Sequence, residues 1–223
     1  MTETTPPLFA HAAPRTPAAH LPRSAKAPAF GHALVYLLAG FPLSLAVFVA
    51  ACVGVSFGLG TLVVWLGLPV LAGTLALARR HAALERRRAE AVTGRAMPAP
   101  RYRENHATGV RWMFRSLADP RAWADLSHMF LGLVLRTVTF SLALTWTVGG
   151  LGELLYGTWS WSLPRDGGEE GLLDLAFGIS SRAADIGFHT GVGVLLLATA
   201  VPMVRGLVAL EVGLVRALLT GRR

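Results

Sequence analysis

The sequence predicts an all-α membrane protein with four transmembrane helices in two helical hairpins, plus cytoplasmic amphipathic helices and an outer loop. Of its 223 residues, 53% are hydrophobic and 15% are charged, whereas soluble domains carry about 25% charged residues. Uncharged runs occupy 27–78, 137–152 and 186–204. Such continuous apolar runs differ from the alternating pattern of outer-membrane strands, so helices are favoured over a barrel.

The first uncharged run is too long for one crossing. As a continuous helix it would extend about 78 Å at ~1.5 Å per residue, and the hydrocarbon core is about 30 Å thick. We therefore expect crossings at about 34–54 and 60–79, with a fold-back at Gly54–Gly60, where three glycines permit a tight turn. The later runs predict crossings at about 128–150 and 188–210.

The first 29 residues differ in composition from the rest of the chain. They are rich in proline and alanine and have no apolar core, so we expect 1–29 to be a disordered cytoplasmic tail, not a signal peptide. The transmembrane domain is then 30–223. The single cysteine, Cys52, lies in an apolar run, which excludes an intrachain disulfide and favours a packing role.

The distribution of charge predicts the orientation. Residues 79–127 hold eleven arginines and five acidic residues, whereas 149–188 hold two arginines and six acidic residues. Positive loops stay in the cytoplasm, so we expect 79–127 and both termini inside and 149–188 outside, in the plasma membrane. The net charge of +8 then indicates an anionic inner leaflet as the partner, and no nucleic acid.

An internal duplication is a further hypothesis, weighed against chance matching of apolar segments. A shift of 92 residues places Gly40 on Gly132 and Phe48 on Phe140, and a shift of 133 places Pro69 on Pro202. A real duplication would make each repeat a hairpin of the same orientation. The second repeat would then carry 41 extra residues as its outer loop.

The outer loop is the first candidate site. Its aromatic side chains suit the membrane interface. One interpretation is a surface that senses a lipid, an apolar compound or a partner. The other is an aromatic belt with a connector. The candidate sensing residues are Tyr156, Trp159, Trp161, Leu163 and Pro164. A short helix is expected near 172–179.

The basic connector is the second candidate site. The spacing of Val110, Met113, Phe114 and Leu117 predicts a helix at 109–118 with one apolar face. Asp119-Pro120 is typical of a helix start, and Gly94 of a helix end. The candidate membrane-docking residues are Arg111, Arg115 and Trp123; a partner site and a solvated linker are the alternatives.

Charges within the spans form the third candidate site. Arg136 and Arg205 fall inside predicted crossings. A charge inside the membrane is costly and often functional, but long arginine side chains near a helix end also extend to the headgroups. Both interpretations stay open, and Glu211 is the candidate partner in a packed polar site.

The sequence contains no motif for catalysis. The seven histidines have no metal-ligand spacing, no phosphate-binding loop follows a strand, and no Ser/His/Asp set can be nominated. We therefore expect no catalytic, cofactor-binding or metal-binding residues and no enzyme.

Five segments carry a resemblance to a known family: 36–43 (YLLAGFPL), 67–71 (GLPVL), 117–126 (LADPRAWADL), 201–207 (VPMVRGL) and 216–221 (RALLTG). From about Phe30 to Gly221 the chain resembles the sensor domain found at the N-terminus of many actinobacterial histidine kinases and also found alone. The resemblance implies a multi-pass signal-input module without catalytic residues. The kinase domains would follow the last crossing, but the sequence ends at Arg223, so we expect a separately encoded kinase or regulator as partner.

Two functions follow from these observations. The first is a membrane sensor or regulatory module that passes an outer-loop or bilayer stimulus to a cytoplasmic partner, and it can form a homo-oligomer. The second is a small oligomeric transporter or channel subunit. Proton coupling usually requires an acidic residue at mid-membrane, and the predicted spans contain none, which favours the sensor.

Overall fold

A computed structural model describes residues 28–98, 109–162, 172–179 and 181–219. These residues form helices and no strand. Four helices are long: α1 (Phe30–Gly60), α2 (Gly67–Thr93), α4 (Pro120–Leu154) and α7 (Arg182–Leu219). Three are short: α3 (Val110–Leu117), α5 (Tyr156–Trp159) and α6 (Leu172–Phe177).

The long helices confirm an α-helical membrane protein. Within the described residues, α1, α4 and α7 are long and apolar enough to cross a bilayer. The uncharged part of α2 is only its first segment, 67–78, which is short of the ~20 residues that a spanning helix needs. The predicted second crossing at 60–79, and with it the count of four crossings, is therefore not confirmed.

The fold-back lies later than the glycine pattern predicts. α1 continues through Gly54 to Gly60, and the chain turns at 61–66, where Trp65 adopts a left-handed φ of 62°. A Cβ at Gly54 would lie 2.2 Å from Thr74 Oγ1. The expected turn at Gly54–Gly60 is wrong because Gly54 and Gly58 lie within α1, where they let α2 approach closely.

The two hairpins point in opposite directions. Phe41 stacks on Phe140 with ring centroids 4.7 Å apart, and Phe48 meets Phe130 at 4.9 Å. Ascending residue numbers in α1 thus face descending numbers in α4, so the two helices are antiparallel. The turn between α1 and α2 consequently lies at one end of the bundle, and the segment between α4 and α7 lies at the other.

This packing contradicts two sequence predictions. Repeats of the same orientation would make α1 and α4 parallel, and the antiparallel packing excludes this arrangement. Antiparallel helices that cross one bilayer also begin on opposite sides. Residues 30 and 120 therefore cannot both start crossings from the cytoplasm, as the predicted orientation requires.

The charged half of α2 packs inside the bundle instead of extending into water. Ala82, Glu85 and Ala89 are fully buried. Small alanines let α2 pack closely, and Glu85 is neutralised by Arg136, as described below. Gly94 ends the helix with a φ of 64°, as predicted.

The connector helix and the start of α4 form as the sequence predicts. α3 covers Val110–Leu117, and the Asp119 carboxylate accepts a hydrogen bond from the Arg121 backbone N–H at 3.0 Å. Pro120 occupies the first turn of α4. This cap fixes the start of α4, the helix that contains the third predicted crossing. Arg79 of α2 pairs with the same aspartate at 2.8 Å.

The C-terminal half of α4 contains a π-helical turn at Thr145–Gly149, after which α-helix resumes at Gly150–Leu154. α7 packs along this half of α4. A Cβ at Gly193 would lie only 2.3 Å from the Leu154 backbone N. A side chain larger than hydrogen is therefore excluded at this contact.

Candidate functional site

Arg136 lies near the middle of α4 and is 5% exposed. Its guanidinium donates to the Glu85 carboxylate of α2 and to the Ser44 hydroxyl of α1, and it contacts the Gly40 carbonyl at 3.4 Å. These contacts resolve the alternatives for Arg136 in favour of a packed polar site, because its charge is neutralised inside the bundle.

Glu211 of α7 completes this arrangement. Its Oε2 lies 3.6 Å from Arg136 Nε, and its Oε1 accepts a hydrogen bond from the Thr139 hydroxyl of α4. The sequence proposed this pairing of Arg136 with Glu211. We call Ser44, Glu85, Arg88, Arg136, Thr139 and Glu211 the central network; it joins all four long helices.

Arg88 balances the charge of the network. Its guanidinium pairs with Glu85 at 3.1 Å, donates to the Tyr36 carbonyl at 2.9 Å and lies 5.2 Å from the centre of the Tyr36 ring. Two arginines thus face two glutamates. Charges that are taken out of water are tolerated only when paired in this way.

Two groups on α2, outside the three spanning helices, show how burial and charge compete. Burial alone would raise the pKa of Glu85, but its hydrogen bond to Arg136 and the nearby positive charges lower that pKa below its ordinary value. Burial lowers the pKa of His81. At neutral pH Glu85 is therefore ionised and His81 is neutral.

A small polar cavity adjoins the network. About 10 Å³ of water-accessible space lies among His81, His128, Arg136 and Glu211, which is about the volume that one water molecule needs. The Nδ1 atoms of both histidines are buried and have no hydrogen-bond partner. The cavity gives the centre of the bundle room for one polar molecule.

A second cluster of polar side chains lies where α4 ends and α7 begins. The Tyr156 hydroxyl donates to Asp185 Oδ2 at 2.9 Å, and the Tyr156 ring stacks on His189 at 3.9 Å. His189 Nδ1 contacts the Glu153 carboxylate, and its Nε2 lies 3.6 Å from Asp185 Oδ1. We call Glu153, Tyr156, Asp185 and His189 the loop-end cluster.

The candidate sensing residues divide between core and surface. Tyr156 is buried in the loop-end cluster, and Trp159 packs edge-on against it at 5.3 Å. Trp161 is 75% exposed. Leu163 and Pro164 lie outside the described residues, as does most of the predicted tail 1–29.

The candidate docking residues are exposed. Arg111 and Arg115 lie on α3. The neighbouring apolar side chains of Val110 and Phe114 are 57% and 52% exposed. Trp123 is also exposed, and its indole N–H donates to the Leu117 carbonyl at 2.8 Å. The arrangement has the chemistry of a helix at a lipid surface.

Some functional candidates were missed or do not join a site. Arg205 is exposed and takes no part in the central network. Glu85, Asp185 and His189 were not nominated from the sequence. Alanines at 78, 82 and 89 mark a buried face of α2 near Glu85. Asp185 and His189 are one helical turn apart, which is a spacing at which side chains meet. In the described part of the chain, no three His, Cys, Asp or Glu side chains converge to hold a metal ion.

Comparison with known proteins gives one family. The family model described as "Putative sensor" matches residues 36–219, which is most of the chain. No curated protein and no solved structure matches the chain.

Proposed function

Because the chain belongs to the sensor family that matches residues 36–219, we propose that it is a signal-input module of the plasma membrane. It receives a stimulus at the segment between α4 and α7, or from the bilayer, and passes it to a cytoplasmic partner. It catalyses no reaction itself. The partner that we propose is a separately encoded histidine kinase or regulator.

The central network is the observation that carries this proposal. Arg136 of α4 contacts side chains from α1, α2 and α7, so a shift of α4 changes ion pairs on every long helix. α4 and α7 also carry the loop-end cluster. α4 and α7 thus connect the loop-end cluster, which is the candidate input end, to α2. The arginine-rich connector begins in α2 and continues beyond it.

The orientation rests on charge. The connector 79–127 has an excess of six positive charges and 149–188 an excess of four negative charges, which supports an inner connector and an outer loop. We propose that α3 lies on the anionic inner leaflet, with Val110 and Phe114 in the lipid and Arg111 and Arg115 at the headgroups.

The buried carboxylates favour one alternative, a small transporter or channel subunit. The predicted spans had no acidic residue at mid-membrane, but Glu85 and Glu211 lie buried beside Arg136 and a polar cavity. Both carboxylates are paired with guanidinium groups. The sensor function is preferred because a neutralised network is suited to holding helices in register.

The test combines two assays on the full chain. A photo-crosslinking amino acid at Arg115, in the native membrane, should capture a kinase or regulator, and the same amino acid at the exposed Trp161, at the opposite end of the bundle, is the matched control. Proteoliposomes should show no solute or ion flux. Flux that Arg136→Leu abolishes, without a crosslink to any signalling protein, would replace the sensor by the transporter.

A further inference from the structure

His189 is held between two carboxylates that come from different helices. Glu153, on α4, contacts Nδ1, and Asp185, one turn earlier on α7, faces Nε2 at 3.6 Å. The ring is covered by Tyr156, which stacks on it at 3.9 Å. The imidazole is therefore positioned so that both of its nitrogens point at acceptors.

Only the protonated ring can satisfy both sides. Neutral imidazole has one N–H donor and one nitrogen acceptor, whereas imidazolium has two donors. A neutral ring would thus set a lone pair against one of the two carboxylates. Asp185 is 2% exposed, and its Oδ1 has no hydrogen-bond partner, so this oxygen is the buried acceptor that a second donor would satisfy.

Among the residues that the structure describes, no charged group supplies another donor to that oxygen. Tyr156 donates to the other oxygen of Asp185, Oδ2. Of the further charged groups on the packed elements, Arg182 at the start of α7 is exposed, and Asp174 on α6 is half-buried and acidic. The segment 163–171 lies outside the described residues.

We propose that the loop-end cluster is a proton-binding site through which the module senses acidity on the outer side of the membrane. Proton uptake by His189 turns both contacts into charge-assisted hydrogen bonds. Nε2 and Oδ1 then approach from 3.6 Å to about 2.8 Å. His189 and Asp185 both belong to α7, so the contact that links the two helices is that of Nδ1 with Glu153 of α4. The positive charge of the ring strengthens this contact, so the ends of α4 and α7 are held together at low pH, and they separate as the pH rises and the ring loses its proton.

This inference deepens the proposed function, on which it rests for its biological meaning, by naming protons as the stimulus. A free histidine changes charge between about pH 5 and 8, and small environmental effects move the transition within that range. The cluster lies at the end of the same two helices that hold Arg136 and Glu211. A change in their separation therefore reaches the central network.

The test measures the distance between the two helix ends. Spin labels are placed at the exposed positions Leu155 and Ala183, in a Cys52→Ala background of the full chain in nanodiscs. The distance is followed by EPR from pH 8 to pH 5 and should shorten in the wild type. His189→Gln should abolish the response, whereas His32→Gln, at an exposed histidine of α1, should retain it.

A second variant keeps the test decisive if His189→Gln does not fold. Glu153→Gln removes one of the two flanking charges, so the pH response should move to lower pH. A wild-type distance that is constant over this pH range, a pH response that His189→Gln retains, or an unmoved transition in Glu153→Gln would each overturn the proposal. No signalling partner is present, so such a failure leaves the sensor function standing with another stimulus.

Discussion

Replacement of Arg136 by leucine tests whether the central network holds the bundle together. The substitution leaves the carboxylates of Glu85 and Glu211 buried at 0% and 2% exposure. Glu85 keeps Arg88 at 3.1 Å, whereas Glu211 keeps only the hydroxyl of Thr139 from within the network. Removal of one partner of a buried ion pair costs about 3–5 kcal/mol, which is a large part of a typical stability of 5–15 kcal/mol.

The measurement is the free energy of unfolding of the full chain in mixed micelles. Arg205→Leu is the matched control, because Arg205 is an exposed arginine on α7 and its loss should change stability by less than about 0.5 kcal/mol. The double variant Arg136→Leu/Glu211→Gln should recover much of the loss, because Glu85 keeps Arg88 and no buried carboxylate is then left without a cationic partner.

The refuting result is equally specific. If Arg136→Leu loses no more stability than Arg205→Leu, the guanidinium is not neutralised inside the bundle, and the coupling of four helices through it is wrong. If the double variant is as unstable as the single one, the loss comes from packing volume and not from unpaired charge.

Two further substitutions test local geometry, with unfolding free energies as the measurement. Gly193→Ala should destabilise the chain by about 1–3 kcal/mol, because its methyl group would lie 2.3 Å from the Leu154 backbone N. Gly191→Ala, in open space on the same helix, should be neutral or stabilising. Equal effects of the two substitutions would contradict the close contact. Asp119→Ala should lower the free energy of unfolding by about 1 kcal/mol through the lost cap of α4. Asp119→Asn should retain most of that stability, because an amide oxygen also accepts from the Arg121 backbone N–H. An alanine variant of unchanged stability would argue against the cap.

Local signals in the sequence predicted the elements well. Asp119-Pro120 marked the start of α4, Gly94 the end of α2, and an apolar stripe marked α3. Each of these depends on chemistry within about one helical turn, so it can be read without knowing the tertiary contacts. The family resemblance, which rests on the order of several such segments, was confirmed for the same reason.

Packing between helices was harder to predict. Gly54 suggested a turn, but whether a glycine ends a helix or admits a neighbour depends on what lies opposite, and here that is Thr74. Arg136 and Glu211 were paired correctly from their charge and span positions. Glu85 was missed because a cluster of arginines around it suggested water, and only the burial of α2 against the bundle reverses that interpretation.

The direction of the hairpins illustrates the same limit. Apolar residues repeat by chance, so matches such as Phe48 with Phe140 do not indicate common orientation. In the structure each of these rings has another partner, Phe130 for Phe48 and Phe41 for Phe140. The ring contacts show that α1 and α4 are antiparallel, and no local sequence pattern predicts such contacts between helices.

The π-helical turn at Thr145–Gly149 accommodates one more residue than an α-helical turn does. Since each residue of an α-helix advances the azimuth by about 100°, everything beyond the turn is rotated by that angle relative to an uninterrupted helix. Glu153 faces His189 only because of this rotation. Deletion of one residue at 145–149 with a regular helix in its place would leave that carboxylate facing α7, whereas a regular helix of the full sequence would turn it away. The widened turn thus sets which face of the helix end meets its neighbour.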